Sequence, residues 1–228
     1  MKKIKKLLKK TVLGKQLLKL RKQPVQPSNF PGSKHYWENR YKAKNNSGPG
    51  SYGRLAVFKA EVLNTFVAKH SIKTVVELGC GDGNQLLLSK YPSYLGFDVS
   101  REAIALCSEK FKEDDTKNFK LSASTHFITP LADLSMSLDV IYHLIEDEVF
   151  DSYMNTLFTI AKQYVIIYSS NYEDHFTAHV KCRKFTNWID QHVGDTWELL
   201  DFIENKYPFE EDKPNETSMA DFYIYRRI

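Results

Sequence analysis

Glu77-Leu78-Gly79-Cys80-Gly81-Asp82-Gly83 is the stretch of this chain best suited to hold a ligand. The apolar run before it, 73–78, reads as a buried strand, and helical spacing resumes after Gly83. Glycines at 79, 81 and 83 permit positive φ and let the backbone approach a ligand closely. A dinucleotide site also uses a Gly-rich first turn, but its fingerprint is G-x-G-x-x-G, with a pyrophosphate on a helix N-terminus. Here the spacing is G-x-G-x-G, and Asn84 stands where the third glycine would fall. Glu77, at the strand end, suits a ligand with cationic groups better than one with a pyrophosphate. A second acid, Asp98, ends the next apolar run, 93–98, where a carboxylate can accept two hydrogen bonds from ribose hydroxyls. The plainer alternative makes 79–83 a tight turn and Asp98 a helix N-cap.

Other groups fall at the same predicted sheet edge. Asp139 and His143 close the fourth strand. A histidine can take a proton near neutral pH, so His143 is the candidate base for an acceptor hydroxyl, with Asp139 orienting the acceptor or a residue beside it. The alternatives are a packed histidine and a turn carboxylate. Ser51-Tyr52-Gly53-Arg54 reads as a lid, with Tyr52 or Arg54 meeting a ligand carboxylate, or as a loop and a solvated helix start. His179, Lys181, Arg183 and Lys184 form a basic cluster suited to an anionic acceptor such as a sugar phosphate or uronate, or else a solvated face. Ser170 and Asn171 end the fifth strand, where acceptor contacts are expected. Asp139 and Asn171 could be two metal ligands, but Ser170 beside Asn171 adds no carboxylate and the set is incomplete, so no metal is expected.

These residues need a scaffold that brings strand ends together. Strand-like runs at 73–78, 93–98, 118–122, 132–142 and 163–168 alternate with helical spacing at 84–90, 101–112 and 147–162, and 54–69 precedes them as a helix. The link 123–131 is ambiguous. This rhythm predicts a parallel sheet with helices on both faces. After a helix near 184–193, the runs 196–204 and 219–226 have no helix between them and should pair antiparallel.

The chain has 228 residues, 42% hydrophobic and 26% charged, which suits one α/β domain. Its three cysteines, Cys80, Cys107 and Cys182, show no metal-ligand spacing and fit a reducing, cytoplasmic setting. The net charge of +4 is unevenly spread. Residues 1–22 hold ten Lys and Arg and no acid, leaving 22 basic against 28 acidic residues, a net of −6. A mildly acidic body argues against a general nucleic-acid binder. Residues 1–22 read as a basic amphipathic helix, with Ile4, Leu7, Leu8 and Thr11 on one face and a phase slip after Gly14. Residues 23–34 read as a Pro-punctuated linker, and 35–228 as the domain. The tail is expected to meet an anionic membrane surface, at the inner face, or a partner protein.

The segment ELGCGDGN with GFDVS resembles motif I and the following acidic motif of class I S-adenosylmethionine (SAM)-dependent methyltransferases, over residues 35–228. The resemblance implies a Rossmann-like, doubly wound seven-stranded sheet with a terminal antiparallel hairpin. It implies SAM as cofactor, with Glu77, Gly79, Cys80, Gly81 and Gly83 along its methionine part and Asp98 and Val99 at the ribose. Many relatives place an acid after the third strand for the adenine amine; here Leu121-Ser122-Ala123-Ser124 leaves Ser124 or a backbone group to substitute. SYGRLAVFKAEVLN, SLDVIYHLIEDEVF, YVIIYSSN and RKFTNWI look like a bacterial subgroup found with surface-polysaccharide and glycan biosynthesis enzymes. This implies O-methylation of a sugar hydroxyl in a glycan or lipid-linked saccharide. Another small-molecule or RNA acceptor, or a non-catalytic SAM-binding partner of a glycosyltransferase, are the alternatives. No DNA partner is expected, because the Asn/Asp-Pro-Pro-aromatic motif of N6-adenine enzymes is replaced by Ser137-Leu138-Asp139-Val140.

Overall fold

The computed structural model describes residues 30–122 and 132–228. Seven strands, β1 (Thr74–Leu78), β2 (Ser93–Asp98), β3 (Lys117–Leu121), β4 (Ala132–Leu138), β5 (Ala161–Ser169), β8 (Trp197–Ile203) and β9 (Asp221–Arg227), form one sheet in the order β3-β2-β1-β4-β5-β9-β8. Strands β1 to β5 pair parallel with one another. β9 runs antiparallel to both β5 and β8, which is the expected terminal hairpin. A short second sheet, β6 (Asp174–Thr177) with β7 (Val180–Cys182), follows β5.

Alternation along each strand splits the core into two layers. On β1, Val75 packs in one layer with Phe58, Leu63, Phe66 and Val67 of α2 (Gly53–Lys69) and Cys107 of α3 (Arg101–Lys110). Val76 faces the other layer, with Phe150, Met154, Leu157 and Phe158 of α4 (Asp147–Thr159) and Phe185, Trp188 and Ile189 of α5 (Phe185–His192). Strands buried on both faces need apolar residues at successive positions, which is why these runs were continuous in sequence.

Three local features differ from the sequence reading. The helical pattern at 84–90 folds only as a 3-10 turn, Gln85–Leu88. Pro92 and the start of β2 at Ser93 leave no room for a longer helix, and Leu87 and Leu88 remain exposed. The run 132–142 stops at Leu138, because Asp139 has φ 60° and breaks the strand; a 3-10 turn, Ile141–His143, follows. The aromatic segment near residue 36 belongs to a helix, α1 (Ser33–Lys42).

The sheet order reverses between β1 and β4. In open α/β sheets ligands bind beyond the carboxyl ends of the strands at such a point, and Glu77, Asp98 and Asp139 stand at or just after the ends of β1, β2 and β4 there.

Candidate active site

The turn after β1 is fixed from its first residue. The amides of Gly79 and Cys80 both donate to the Phe97 carbonyl, at 2.7 and 2.9 Å. Gly79 has φ 87°, and a Cβ there would sit 2.5 Å from a methyl of Val140, so only glycine fits between the β1 and β4 ends. Asp98 then holds the turn from β2. Its Oδ2 accepts from the Gly81 amide at 3.0 Å and its Oδ1 from the Ser100 amide at 2.9 Å. Burial pushes the Asp98 carboxyl up to about 6, against these amide donors.

Glu77 is buried, and its Oε2 accepts from the Tyr94 hydroxyl at 2.7 Å. Burial pushes its carboxyl up to about 7; the Tyr94 bond and the charge of Lys59 pull the other way. Asp82 plays a different part. Its Oδ2 accepts from the Ser47 amide and the Tyr52 hydroxyl, both at 2.9 Å, and so latches the 45–52 loop onto the glycine turn. Burial opposes the charge on Asp82, but these donors outweigh it and hold the carboxyl below its ordinary value.

At the end of β4, Asp139 is tied on both oxygens. Lys59 Nζ meets Oδ2 at 2.6 Å and the Tyr142 hydroxyl donates to Oδ1 at 2.8 Å. His143 is half-buried, with Nδ1 2.9 Å from the His179 carbonyl oxygen. A carbonyl only accepts, so the neutral ring carries its proton on Nδ1 and its lone pair on Nε2. Burial pushes the His143 imidazole down to about 4. The ring packs edge-on against Trp37 at 4.9 Å and parallel to His179 at 5.8 Å.

These groups border one cavity of about 620 Å³. Glu77, Gly79, Cys80, Gly81, Asp98, Val99, Asp139 and His143 of the sequence candidates lie on its wall. Helix α1 roofs it with Ser33, Trp37 and Tyr41, one helix face at four-residue spacing. Ser33 latches that roof: its amide and hydroxyl donate to the two oxygens of Glu146, at 2.9 and 2.6 Å.

The other described candidates stand off the wall. Gly83, at φ 70°, lies against the Cys107 sulfur of α3. Arg54 donates to the Glu216 carbonyl and stacks on Tyr207. Ser170 is buried, and its hydroxyl has no hydrogen-bond partner among the described residues. Asn171 pairs with Thr186 at the start of α5. Arg183 is buried and clamps the turn after β4, donating to the carbonyls of Leu144 and Ile145 and to Asp147. His179 touches the site through its carbonyl, while its ring stacks on Tyr36 at 4.5 Å. Ser124 lies outside the described residues. No group of three or more His, Cys, Asp or Glu able to hold a metal occurs among the described residues.

Sequence reasoning passed over Lys59 and α1. Lys59 had a signal: Leu55, Lys59 and Leu63 share the buried stripe of α2, and a charge there needs a partner. Trp37 and Tyr41 had only their spacing.

No family model and no curated protein sequence matches the chain. Solved structures do. Magnesium protoporphyrin IX methyltransferase (ChlM) of Synechocystis PCC 6803, with bound SAM, superposes with a TM-score of 0.64 at 15% identity, covering 88% of this chain and 100% of that one. The N-methyltransferase NodS of Bradyrhizobium japonicum WM9, in complex with S-adenosylhomocysteine (SAH), gives 0.63 at 11% identity, over 86% and 98%. The methyltransferase domain of bacterial CtHen1 gives 0.56 at 19%, over 74% and 96%. The chain therefore has the Rossmann-like fold that these methyltransferases share.

Proposed function

We propose that the protein is a SAM-dependent methyltransferase that acts on a sugar hydroxyl of a glycan or lipid-linked saccharide. The observation that carries the reading is one cavity bordered by Glu77, Asp98 and His143, on the ends of β1 and β2 and the turn after β4. The residues present suit the cofactor. Two buried carboxylates flank a turn whose glycines, Gly79 and Gly81, present bare backbone to the cavity. Its size lies within the roughly 300–1,000 Å³ of small-molecule sites.

When bound, SAM supplies an electrophilic methyl group on a sulfonium. The chain's own residues do the rest. Backbone amides engage both oxygens of Asp98, and the lone-pair capacity that remains is available to a ribose hydroxyl. Glu77 offers a carboxylate to the ammonium end. His143 presents Nε2 to the acceptor hydroxyl and takes its proton, with its ring held by the His179 carbonyl. Trp37, against the edge of His143, offers a flat apolar surface to a sugar ring. Positioning supplies much of the rate, since methyl transfer is an in-line displacement.

The test is calorimetric titration with SAM and SAH, then turnover of methyl-labelled SAM with a panel of saccharides, small metabolites and RNA. Label appearing in a saccharide supports the reading. Label in RNA or a metabolite only would move the acceptor class. Binding without turnover on the whole panel would favour a SAM-binding partner of a glycosyltransferase, and no binding would reject the cofactor.

A further inference from the structure

One buried charge on the cavity wall has no part in the steps above. Lys59, in the middle of α2, is 1% exposed and borders the cavity beside Glu77 and Asp139. Its Nζ donates to Asp139 Oδ2 at 2.6 Å and lies 5.3 Å from the centre of the Tyr168 ring. An ammonium has three N–H bonds, and Asp139 takes the one engaged among the described residues. Asp139 is itself held by the Tyr142 hydroxyl on Oδ1, and a side chain at Gly50 would collide with Oδ2, its Cβ falling 2.7 Å away. Glu77, the second acid near Lys59, uses Oε2 for the Tyr94 hydroxyl.

Two lysines border the cavity, exposed Lys34 and buried Lys59; Lys59 is paired with Asp139 and close enough to Glu77 for its charge to act there, next to the glycine turn. That arrangement complements an α-amino-acid end, with its carboxylate toward Lys59 and its ammonium toward Glu77. Tyr52 and Arg54, the sequence candidates for a ligand carboxylate, are engaged by Asp82 and Glu216. We propose that Lys59 reads the carboxylate of the cofactor's methionine end, one N–H fixed on Asp139 and another turned to the ligand. This rests on the SAM reading of the cavity. It makes the α-carboxylate, and not the nucleoside alone, a condition of tight binding.

The experiment compares three probes by calorimetry: SAH, its decarboxylated analogue that keeps the amine, and 5′-methylthioadenosine, which lacks the amino-acid end. The wild-type protein should bind SAH about tenfold or more tightly than the decarboxylated analogue, and methylthioadenosine more weakly still. Lys59→Met alone would strand the Asp139 charge, so it is combined with Asp139→Asn. In that double variant the preference for SAH over the decarboxylated analogue should shrink to about threefold or less. Equal wild-type affinity for SAH and the decarboxylated analogue, or an unchanged preference in the double variant, overturns the assignment and leaves the SAM reading standing. Equal wild-type affinity for the two overturns the assignment even if the double variant does not fold. No binding of SAH or SAM by the wild type overturns both.

Discussion

Asp98 Oδ2 accepts the backbone amide of Gly81 at 3.0 Å, so the acid that ends β2 also holds the glycine turn that ends β1. One side chain serves two elements of the site. Asp98→Ala should therefore weaken SAH binding by about 1.5–3 kcal/mol, through lost charge-assisted hydrogen bonds and a loosened turn. Calorimetric titration of the folded variant checks this, and an unchanged Kd would remove Asp98 from the site.

SAH affinity should rise with pH and level off above about 7. Burial holds the Glu77 carboxyl at about 7 in the free protein, and a ligand ammonium favours its ionised form, so binding at lower pH must release a proton. The sign for stability is opposite. The folded state keeps a proton that the unfolded chain loses near the ordinary value of 4.5. This group therefore costs stability as pH rises from there through about 7. Tyr94→Phe removes a donor to the carboxylate and should shift the binding midpoint upward. Titrations in buffers of different ionisation enthalpy count the proton, and a pH-independent Kd with no proton release would refute the assignment.

His143→Ala should lower turnover by about 10²–10⁴-fold with SAM affinity retained. Because the folded imidazole titrates at about 4, this group should give no inflection near 6.5 in the pH–rate profile. Its contribution to stability is full above 6.5 and is lost as pH falls toward 4. Wild-type turnover at saturating substrate in the variant would assign the proton transfer elsewhere.

Arg183→Ala should act on stability more than on cofactor binding. It strips the buried donors from the Leu144 and Ile145 carbonyls, a loss of about 1–3 kcal/mol. Little is added for the pair with Asp147, whose side chain is 72% exposed. Differential scanning calorimetry should show Tm several degrees lower. An unaltered Tm would mean that the clamp is not needed.

Residues 1–22 should carry the protein to anionic vesicles. Ten basic residues and no acid attract an anionic surface at about 1 kcal/mol for each residue near it. In flotation, the full chain should rise with anionic but not neutral vesicles and be released by salt, while a chain starting at Ser33 stays behind with its SAH affinity intact. Equal behaviour of the two would leave a helix docking on a partner protein or a loose basic tail.

The sheet was legible because β1 and β5 are largely apolar runs and helical spacing separates most of the parallel strands, while the absence of a helix between the last two runs gave the antiparallel hairpin; the edge strand β3, KNFKL, carries the weakest pattern. The glycine turn and Asp98 were legible because their meaning is local: a strand end, a spacing, an acid. What escaped depends on contacts across the fold. The β6–β7 hairpin is made of polar, alternating residues that read as a charge cluster. Helix α1 buries little of itself, so its apolar pattern is weak, and its place over the cavity comes from Ser33 meeting Glu146, 113 residues away. The extent of the 84–90 segment was set by Pro92, against a helical pattern of leucines.

The chain enters the domain at the rim of its own cavity, since Pro31 and Gly32 border it just before α1 begins. Covalent length alone then limits geometry. Eight residues separate residue 22 from Pro31, and a fully extended chain spans at most about 3.6 Å per residue. Whatever holds the first 22 residues therefore lies within about 30 Å of the cavity mouth. If that holder is a flat surface, the tether is short against the width of the domain, and the mouth is kept turned toward it. The tail would then set orientation as well as address, and an acceptor anchored in the same surface would meet the open side of the domain without a search through solution.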